Sequence, residues 1–459
     1  MNLINIYISN TITNKKELFF PINKNQISIY ACGPTVYDYI HIGNGRSMVS
    51  FDILYRLLKH FYNVKYVRNI TDVDDKIIAV SIKNLEHPNK LTKRIIDVFH
   101  KDMELLNCLK PNYEPRATEH IADMIAMIRL LLKNGHAYIS NNYIYFMINS
   151  FSKYSSFTTK NLKELKSGYR IKIDINKRNP MDFVLWKPFK RGDNIVFKSP
   201  WGNGRPGWHI ECSSMSKKYL GENFDIHCGG IDLIFPHHEN EIAQSVCSSK
   251  KCNNFANYWV HTALVTINKI KMSKSLKNFI LLRNLLNKNI TSLALRCFYL
   301  KTHYRCSLDF NNKSLSDANV IIEKIKYCMK LLSIKVINKT LLPVDFLKYL
   351  SDDLNTPRSI SYIRRLINKI LKGNLELVNI LVSCTNFIGI MSKISTSVKD
   401  SKEFNYVKYI ADKRIIYKIT HNWYQADKLR KQINNFGFEV IDQNYTYRLI
   451  RKQYNKCIN

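Results

Sequence analysis

Apolar and polar positions change their spacing several times along the first third of the chain. Residues 29–32 and 64–70 are short apolar runs that favour buried parallel strands. Between them, apolar residues recur at the intervals of one helix face: Leu54, Leu57, Leu58 and Phe61. Strand, helix and strand in this order predict an open α/β sheet.

Later segments extend this pattern. We expect a strand-and-turn segment over residues 1–28, a helix over residues 121–132, a strand at Tyr143–Phe146 and mainly helical structure beyond residue 310. Residues 375–391 are the most apolar of the later segments, but polar side chains interrupt them, and a membrane span needs about 20 predominantly apolar residues. We therefore expect a buried amphipathic helix there and no membrane span.

Two glycines join the first strand to its helix. Gly43 and Gly45 stand just before the helical pattern, where the first N–H groups of a helix are unpaired and point outward. Such a turn can cradle a phosphate group. Glycines at helix starts also serve tight packing, and the pattern alone does not choose between these interpretations.

Polar residues also follow the second strand, at 69–76. Ligands bind at the carboxyl ends of strands in open α/β sheets, so this cluster predicts one wall of a pocket. The alternative is capping of the next helix by Thr71 or Asp72.

Residues 199–212 combine two tryptophans with several glycines, which is typical of a second pocket wall.

A candidate metal site follows further along the chain. Pro236 favours a helix start, which would place His237 and Glu241 on one face, where both could bind one ion. Zinc prefers thiolate, imidazole and carboxylate donors at roughly 2.0–2.3 Å, and Cys32 and Cys212 would complete a set of four. From the residues alone, however, two cysteines this far apart are more often buried thiols than ligands.

Charge and cysteine content narrow the class of protein. Lys and Arg outnumber Asp and Glu by 70 to 36 in 459 residues, and the net charge of +34 favours a polyanionic partner. Because Lys, Asn and Ile are abundant throughout, part of this charge reflects general composition. The 11 cysteines have no regular spacing, so we expect free thiols in a reducing compartment and no secretory signal.

Two motifs identify a resemblance to a known class of enzymes. Residues 41–44, His-Ile-Gly-Asn, resemble the first signature of class I aminoacyl-tRNA synthetases, and residues 271–275, Lys-Met-Ser-Lys-Ser, match the second. The resemblance implies a Rossmann-like parallel-sheet catalytic domain in which His41 holds phosphates and Lys274 stabilises the departing pyrophosphate. ATP, accompanied by Mg²⁺, would contact His41, Gly43, Asn44, Lys271 and Lys274.

Within that class, the chain is similar to the cysteinyl-tRNA synthetases over nearly its whole length. Residues 69–72, Asn-Ile-Thr-Asp, form a run that this family carries, and its threonine lines the amino-acid pocket. The resemblance implies that substrate cysteine contacts Thr71, Trp208, His227 and Asp232. It also implies that one zinc ion is bound by Cys32, Cys212, His237 and Glu241.

The activity implied is ligation of L-cysteine to tRNA(Cys) with ATP, through a cysteinyl-adenylate. Zinc would select the substrate thiolate, because an apolar pocket discriminates poorly among near-isosteres such as serine and alanine. Four protein ligands usually mark a closed structural zinc. We therefore expect the substrate sulfur to add as a fifth ligand or to displace Glu241.

The resemblance also sets expected domain boundaries. The catalytic domain would cover residues 1–110 and 200–262, with a connective insertion at 111–199. A stem-contact region with the second signature would follow at 263–311, then an α-helical tRNA-binding bundle at 312–398, in which residues 351–357 form a loop and helix cap. The small C-terminal region, 399–459, would bind the anticodon, and its Tyr445 and Tyr447 suit base stacking. We expect a monomer in the cytoplasm.

Three positions depart from the family pattern: Asn44 replaces the second histidine of the signature, and Cys228 and Lys277 stand where glycine is usual. Two other functions stay open. One is a ligase that transfers cysteine from its adenylate to a small amine, which would not need the basic C-terminal region. The other is a zinc-dependent RNA-binding paralogue without activation activity, against which both ATP signatures argue.

Overall fold

The computed structural model describes residues 4–155, 157, 175–249, 254–272, 276, 278–286, 291–331, 341–391, 402–443 and 446–451. The chain divides into two compact units. The first comprises residues 1–292, 302–311 and 347–356, and the second comprises residues 293–301, 312–346 and 357–459.

The strands are named here in chain order. They are β1 (Tyr7–Asn10), β2 (Lys15–Leu18), β3 (Ile27–Ala31), β4 (Val64–Arg68), β5 (Ala137–Ser140), β6 (Tyr143–Phe146), β7 (Phe183–Pro188), β8 (Gly204–Pro206), β9 (Phe224–Gly230), β10 (Ala256–Thr262), β11 (Val265–Ile267), β12 (Ile270–Lys271), β13 (Leu308–Phe310), β14 (Phe438–Gln443) and β15 (Thr446–Arg451).

The α-helices are named in the same way. They are α1 (Ile42–Phe61), α2 (Asp75–Lys83), α3 (Pro88–Leu105), α4 (Ile121–Lys133), α5 (Trp208–Leu220), α6 (Glu239–Cys247), α7 (Leu282–Leu286), α8 (Ser292–Leu300), α9 (Asn312–Leu331), α10 (Val344–Ser351), α11 (Thr356–Leu371), α12 (Val378–Phe387), α13 (Lys402–Ile419) and α14 (Trp423–Asn435).

A four-stranded parallel sheet in the order β10-β9-β3-β4 forms the centre of the first unit. Ile29 of β3 lies opposite Tyr66 on one side and Ile226 on the other, and all three side chains are buried. Strands buried on both faces are apolar along most of their length, which is why the runs at 29–32 and 64–70 predicted them. The helix between them begins at Ile42.

The insertion between β4 and β9 contains a separate antiparallel sheet in the order β5-β6-β7-β8. Trp186 of β7 pairs with Pro206 of β8, so this sheet extends beyond residue 199, where the sequence placed the end of the insertion. Helix α4 coincides with the helix expected over residues 121–132. The sheet ends two residues before α5, which carries part of the site.

Residues 347–356 belong to the first unit, although the sequence assigned them to the helical bundle. The reason is the Asp353 carboxylate, which accepts hydrogen bonds from the backbone N–H and the hydroxyl of Ser9 at 2.8 and 2.5 Å and from the Tyr304 hydroxyl at 2.7 Å. These bonds anchor the loop after α10 to β1. The loop expected at this position is therefore present, and it holds the N-terminal hairpin of β1 and β2 in place.

The second unit is mainly helical, as the sequence indicated, and carries a small module of α13, α14, β14 and β15 around its own apolar core. Tyr447 packs against this core, and its hydroxyl donates to Asp412 at 2.7 Å. Base stacking by Tyr447 stays a prediction, and Tyr445 lies outside the described residues. No helix in the described ranges is both long and apolar enough to cross a membrane.

Candidate active site

A cavity of about 390 Å³ lies at the carboxyl edge of the parallel sheet in the first unit. Each of the four strands leads into its wall, because parallel strands end at the same edge. Cys32 follows β3, Thr71 lies beyond β4, Asp232 follows β9 and Ala263 follows β10. Other predicted site residues that line it are His41, Gly43, Asn44, Trp208, Cys212, His237 and Lys271.

The four predicted metal ligands converge at the inner end of this cavity. Their donor atoms lie within 4.8 Å of one another, and all four side chains are buried. The sulfur of Cys32 is 3.7 Å from that of Cys212 and 3.6 Å from Oε1 of Glu241, which in turn is 2.9 Å from Nε2 of His237. The spacing of His237 and Glu241 therefore places them on one helical face, although the backbone is extended at Phe235 and the regular helix begins only at Glu239.

A second set of donors shares two members with the first. His227 and His238 join Cys32 and Glu241 within the same 4.8 Å limit. Nε2 of His238 is 3.5 Å from the sulfur of Cys32, and its Nδ1 is 2.8 Å from Nε2 of His261. Nothing in the sequence pattern singled out His238 or His261 as ligands, and the only sequence signal of His261 is its place near the end of a strand.

The ionisable side chains of the buried cluster shift one another's pKa values. Burial would raise the pKa of Glu241, but His227 and His237 outweigh it and hold that pKa well below its usual range. Burial opposes charge on His237 as well, yet Glu241 and Cys212 raise its pKa to about 10. The hydrogen bond from Cys32 lowers the pKa of Cys212 to about 6. The cluster thus favours an ionised carboxylate and one ionised thiol beside a protonated His237, and binding of a cation would release the His237 proton.

His227 is placed differently from the expectation that it contacts the substrate. Its ring is fully buried, stacks on Trp259 at 4.4 Å and does not reach the cavity wall. Nε2 of His227 lies 2.8 Å from Oε2 of Glu241. The neighbouring Cys228 is equally buried and belongs to neither donor set in the described part of the chain. Of β9, only the last residue, Gly230, lines the cavity.

The outer end of the cavity is built around the N-terminus of α1. His41 is the N-cap residue, and its Nδ1 accepts hydrogen bonds from the N–H groups of Gly43 and Asn44 at 3.0 and 3.3 Å. The sequence analysis expected these amides to face a phosphate. In the structure they point at the imidazole, because the capping side chain accepts their hydrogen bonds. With Nδ1 as acceptor, the proton of the neutral ring lies on Nε2. A Cβ on Gly43 would lie 2.8 Å from Cε1 of His41, so this packing requires glycine.

The first two residues of the second signature line the same cavity as His41. Lys271 ends the short strand β12 and lines the cavity with Met272. Two backbone hydrogen bonds join residues 280–282 to the start of α1. The N–H of Ile42 donates to the carbonyl of Ile280 at 3.1 Å, and the N–H of Leu282 donates to the carbonyl of Ile40 at 2.9 Å. Lys274 and Lys277 lie outside the described residues.

Three of the four residues expected to contact substrate cysteine line the cavity: Thr71, Trp208 and Asp232. Trp208 begins α5 one turn before Cys212 and stacks on His237 at 4.2 Å, and Asp232 stands on the turn after β9. The Thr71 hydroxyl donates to Oε2 of Glu211 at 2.9 Å. Sequence reasoning missed Glu211, although a carboxylate directly before a candidate metal ligand was a usable indication.

The parallel sheet, the insertion and a cavity that joins both signature motifs define a class I aminoacyl-tRNA synthetase. Residues 18–320 match the family model described as the catalytic domain of class I (C) tRNA synthetases. The methionyl-tRNA synthetase of Mycobacterium tuberculosis, solved with methionyl-adenylate, shares the fold with a TM-score of 0.52 at 12% identity, over 86% of this chain and 91% of that one. The expected class and fold are confirmed.

Relatives in sequence define the family within this class. The chain is 45% identical to the cysteine–tRNA ligase of Rickettsia prowazekii over 98% of this chain and 100% of that protein. It is 43% identical to the cysteine–tRNA ligase of Ehrlichia ruminantium (strain Welgevonden) over 95% and 97% of the two chains. The chain belongs to the cysteine–tRNA ligase family.

Proposed function

We propose that this chain ligates L-cysteine to tRNA(Cys) with ATP, through a cysteinyl-adenylate, and that a bound zinc ion selects the substrate thiolate. One observation carries the proposal: a single cavity is lined by Cys32, Cys212 and His237 at its inner end and by His41 and Lys271 at its outer end. A substrate thiol and the phosphates of ATP could therefore occupy one space.

The donor set supports zinc rather than a hard cation. Two thiols, an imidazole and a carboxylate are ligand types that zinc prefers. The set with Cys212 and His237 borders the cavity, whereas His227 and His238 of the second set do not. We therefore assign Cys32, Cys212, His237 and Glu241 as the ligands. Zinc at this place would favour a thiolate over the less acidic hydroxyl of serine.

The chain's own residues would chiefly position the reactants. In adenylate formation, a carboxylate oxygen of cysteine bonds to the α-phosphorus of ATP. The bond between the α-phosphorus and the oxygen that bridges to the β-phosphate breaks, and pyrophosphate is released. His41 would donate from Nε2 to a phosphate, with Gly43 and Asn44 beside it. Lys271 and Lys274 would balance the charge of the departing pyrophosphate, and Mg²⁺ would accompany ATP.

Amino-acid contacts are assigned to Thr71, Trp208 and Asp232, which line the cavity. We replace the substrate contact predicted for His227 by a role in holding the Glu241 carboxylate, since its Nε2 lies 2.8 Å from Oε2 of Glu241 and its ring does not line the cavity. His209 supports the site similarly, because its Nδ1 lies 2.8 Å from Nδ1 of His237. Partners of this kind fix the orientation of metal-binding imidazoles and carboxylates.

The tRNA would be bound by the regions that the sequence assigned to it, at 263–311, 312–398 and 399–459, except that residues 347–356 anchor the N-terminal hairpin. The net charge of +34 supports a polyanionic partner. In the second step, a terminal ribose hydroxyl of the tRNA attacks the adenylate carbonyl, and AMP leaves. The monomeric state and the cytoplasmic location stay predictions.

The decisive experiment measures ATP–pyrophosphate exchange with cysteine and with serine, beside charging of a cysteine-accepting tRNA with labelled cysteine. We expect exchange with cysteine alone, followed by charging. Exchange without charging would favour transfer to a small amine. A folded, zinc-loaded protein without any exchange would favour an RNA-binding paralogue.

A further inference from the structure

Thr71 is held rigidly at the cavity wall. Its backbone N–H donates to the carbonyl of Pro34 at 3.2 Å, and its carbonyl accepts from the N–H of Val36 at 3.1 Å. The side chain is almost fully buried but lines the cavity. With the backbone fixed on both sides, the direction of the hydroxyl group depends on the polar side chains around it.

Two neighbours define what this hydroxyl can do. It donates to Oε2 of Glu211 at 2.9 Å and accepts from Nδ2 of Asn69 at 3.3 Å. The amide of Asn69 is itself oriented, because its Oδ1 accepts from the N–H of Gly33 at 2.8 Å. A hydroxyl has one proton and two lone pairs, so Thr71 retains one lone pair and no proton for a ligand in the cavity.

A group that can only accept hydrogen bonds must meet a donor. Cysteine offers the cavity a carboxylate, which only accepts, and an α-ammonium group, which only donates. We propose that Glu211 is a positioning residue that holds the Thr71 hydroxyl as an acceptor for the substrate ammonium group. Glu211 thereby selects α-amino acids against thiols that lack an ammonium group. The inference rests on the proposed function, since it takes free cysteine as the substrate.

The assignment requires that Oε2 of Glu211, the atom that faces Thr71, accept a hydrogen bond. It does so in the carboxylate, and in the carboxylic acid when the proton lies on Oε1. Glu211 is buried and is absent from the cavity wall, so it acts through Thr71 and does not touch the substrate itself. Its position beside Cys212 requires that any test separate it from the metal site.

The test compares two variants and three thiols. Glu211→Leu removes the acceptor, and Glu211→Gln keeps one of similar shape. Binding of cysteine, cysteamine and 3-mercaptopropionate to the zinc-loaded full chain is measured by calorimetry. Glu211→Leu should weaken cysteine and cysteamine about tenfold, as expected for the loss of one hydrogen bond to a charged group, and should leave 3-mercaptopropionate within about twofold. Glu211→Gln should bind all three like the unmodified protein.

Equal weakening of all three thiols would overturn the inference, and so would unchanged cysteine binding in Glu211→Leu. Zinc content and thermal unfolding are measured on each variant, because loss of metal would weaken all three thiols alike. Thr71→Val, with Thr71→Ser as its matched control, must also weaken binding of cysteine and cysteamine but not of 3-mercaptopropionate. If Glu211→Leu does not fold, this pair of variants decides the test. If the unmodified chain binds cysteine but performs no exchange, the proposed function fails while this inference can still hold.

Discussion

Nε2 of His227 lies 2.8 Å from Oε2 of Glu241, and both side chains are fully buried. The carboxylate is therefore held from behind by one imidazole while its other oxygen faces His237 and Cys32. A buried carboxylate with a fixed direction is a better metal ligand than a mobile one, because no ordering is needed when the ion binds. This pair connects the parallel sheet to the proposed zinc site.

His227→Leu should lower the affinity for zinc about 10- to 100-fold, which is the usual effect of losing a partner that orients a metal ligand. Competition with a chromogenic chelator measures this affinity. His60→Gln, at an exposed histidine of α1, is the matched control and should bind zinc normally. Normal zinc affinity in His227→Leu would show that Glu241 does not need this support.

Removal of zinc should abolish cysteine-dependent exchange and leave the chain folded, since the parallel sheet has its own apolar core. In a cobalt-substituted protein, added cysteine should change the thiolate-to-cobalt absorption, and added serine should not. The spectrum reports on the metal independently of catalysis. An unchanged spectrum with cysteine would contradict selection through the thiolate.

His41 should have two separable roles. His41→Asn preserves an N-cap acceptor for α1 and should unfold at the temperature of the unmodified chain, whereas His41→Ala should lose about 1 kcal/mol of stability. Both variants lose the Nε2 donor and should form adenylate about 10²-fold more slowly. Thermal unfolding and single-turnover adenylate formation measure the two effects. Full activity of His41→Asn would restrict His41 to capping.

Lys274→Ala should slow adenylate formation about 10²- to 10³-fold with little change in cysteine binding, because its charge is needed as pyrophosphate departs. Lys90→Ala removes an exposed lysine from α3 and is the control for a simple change of net charge. Single-turnover kinetics with labelled ATP separate the chemical step from binding. Adenylate formation at the normal rate in Lys274→Ala would refute this role.

Asp102 should make stability depend on pH. This carboxylate is buried in α3, with Nε of Arg283 at 3.2 Å from Oδ1, and burial raises its pKa to about 6 while Arg283 opposes the rise. Below about pH 4, Asp102 is protonated in both the folded and the unfolded chain, so its burial does not lower the stability of the folded state through ionisation. As the pH rises to about 6, the unfolded chain releases the proton first, so the folded state loses up to about 3 kcal/mol of stability.

Asp102→Asn removes this titration. The variant should therefore gain stability relative to the unmodified chain between pH 4 and pH 6, and the difference should stay constant above pH 7. Urea unfolding at several pH values measures the difference. Parallel stability profiles for the two proteins would show that Asp102 keeps an ordinary pKa.

Local pattern predicted much of the catalytic unit. The apolar runs at 29–32 and 64–70 correspond to the strands Ile27–Ala31 and Val64–Arg68, and the helical spacing of residues 54–61 lies within the helix Ile42–Phe61. Each of these elements is selected by its own residues, because periodicity decides which face is buried. Gly43 and Gly45, which were placed before the helix, lie inside it, because its first turn is fixed by the His41 cap rather than by apolar residues.

The sequence by itself determined the class of enzyme and the candidate ligands through its resemblance to a known family, and the residues near each strand end through residue types and short spacings. Only the tertiary structure decided how they meet. Cys32 and Cys212 are 180 positions apart, and their sulfurs come within 3.7 Å because β3 and α5 converge at one edge of the sheet. Likewise, the packing of β9 turned His227 toward Glu241, and the packing of α5 brought Glu211 to Thr71. Such contacts join residues far apart in the chain, and no local pattern encodes them.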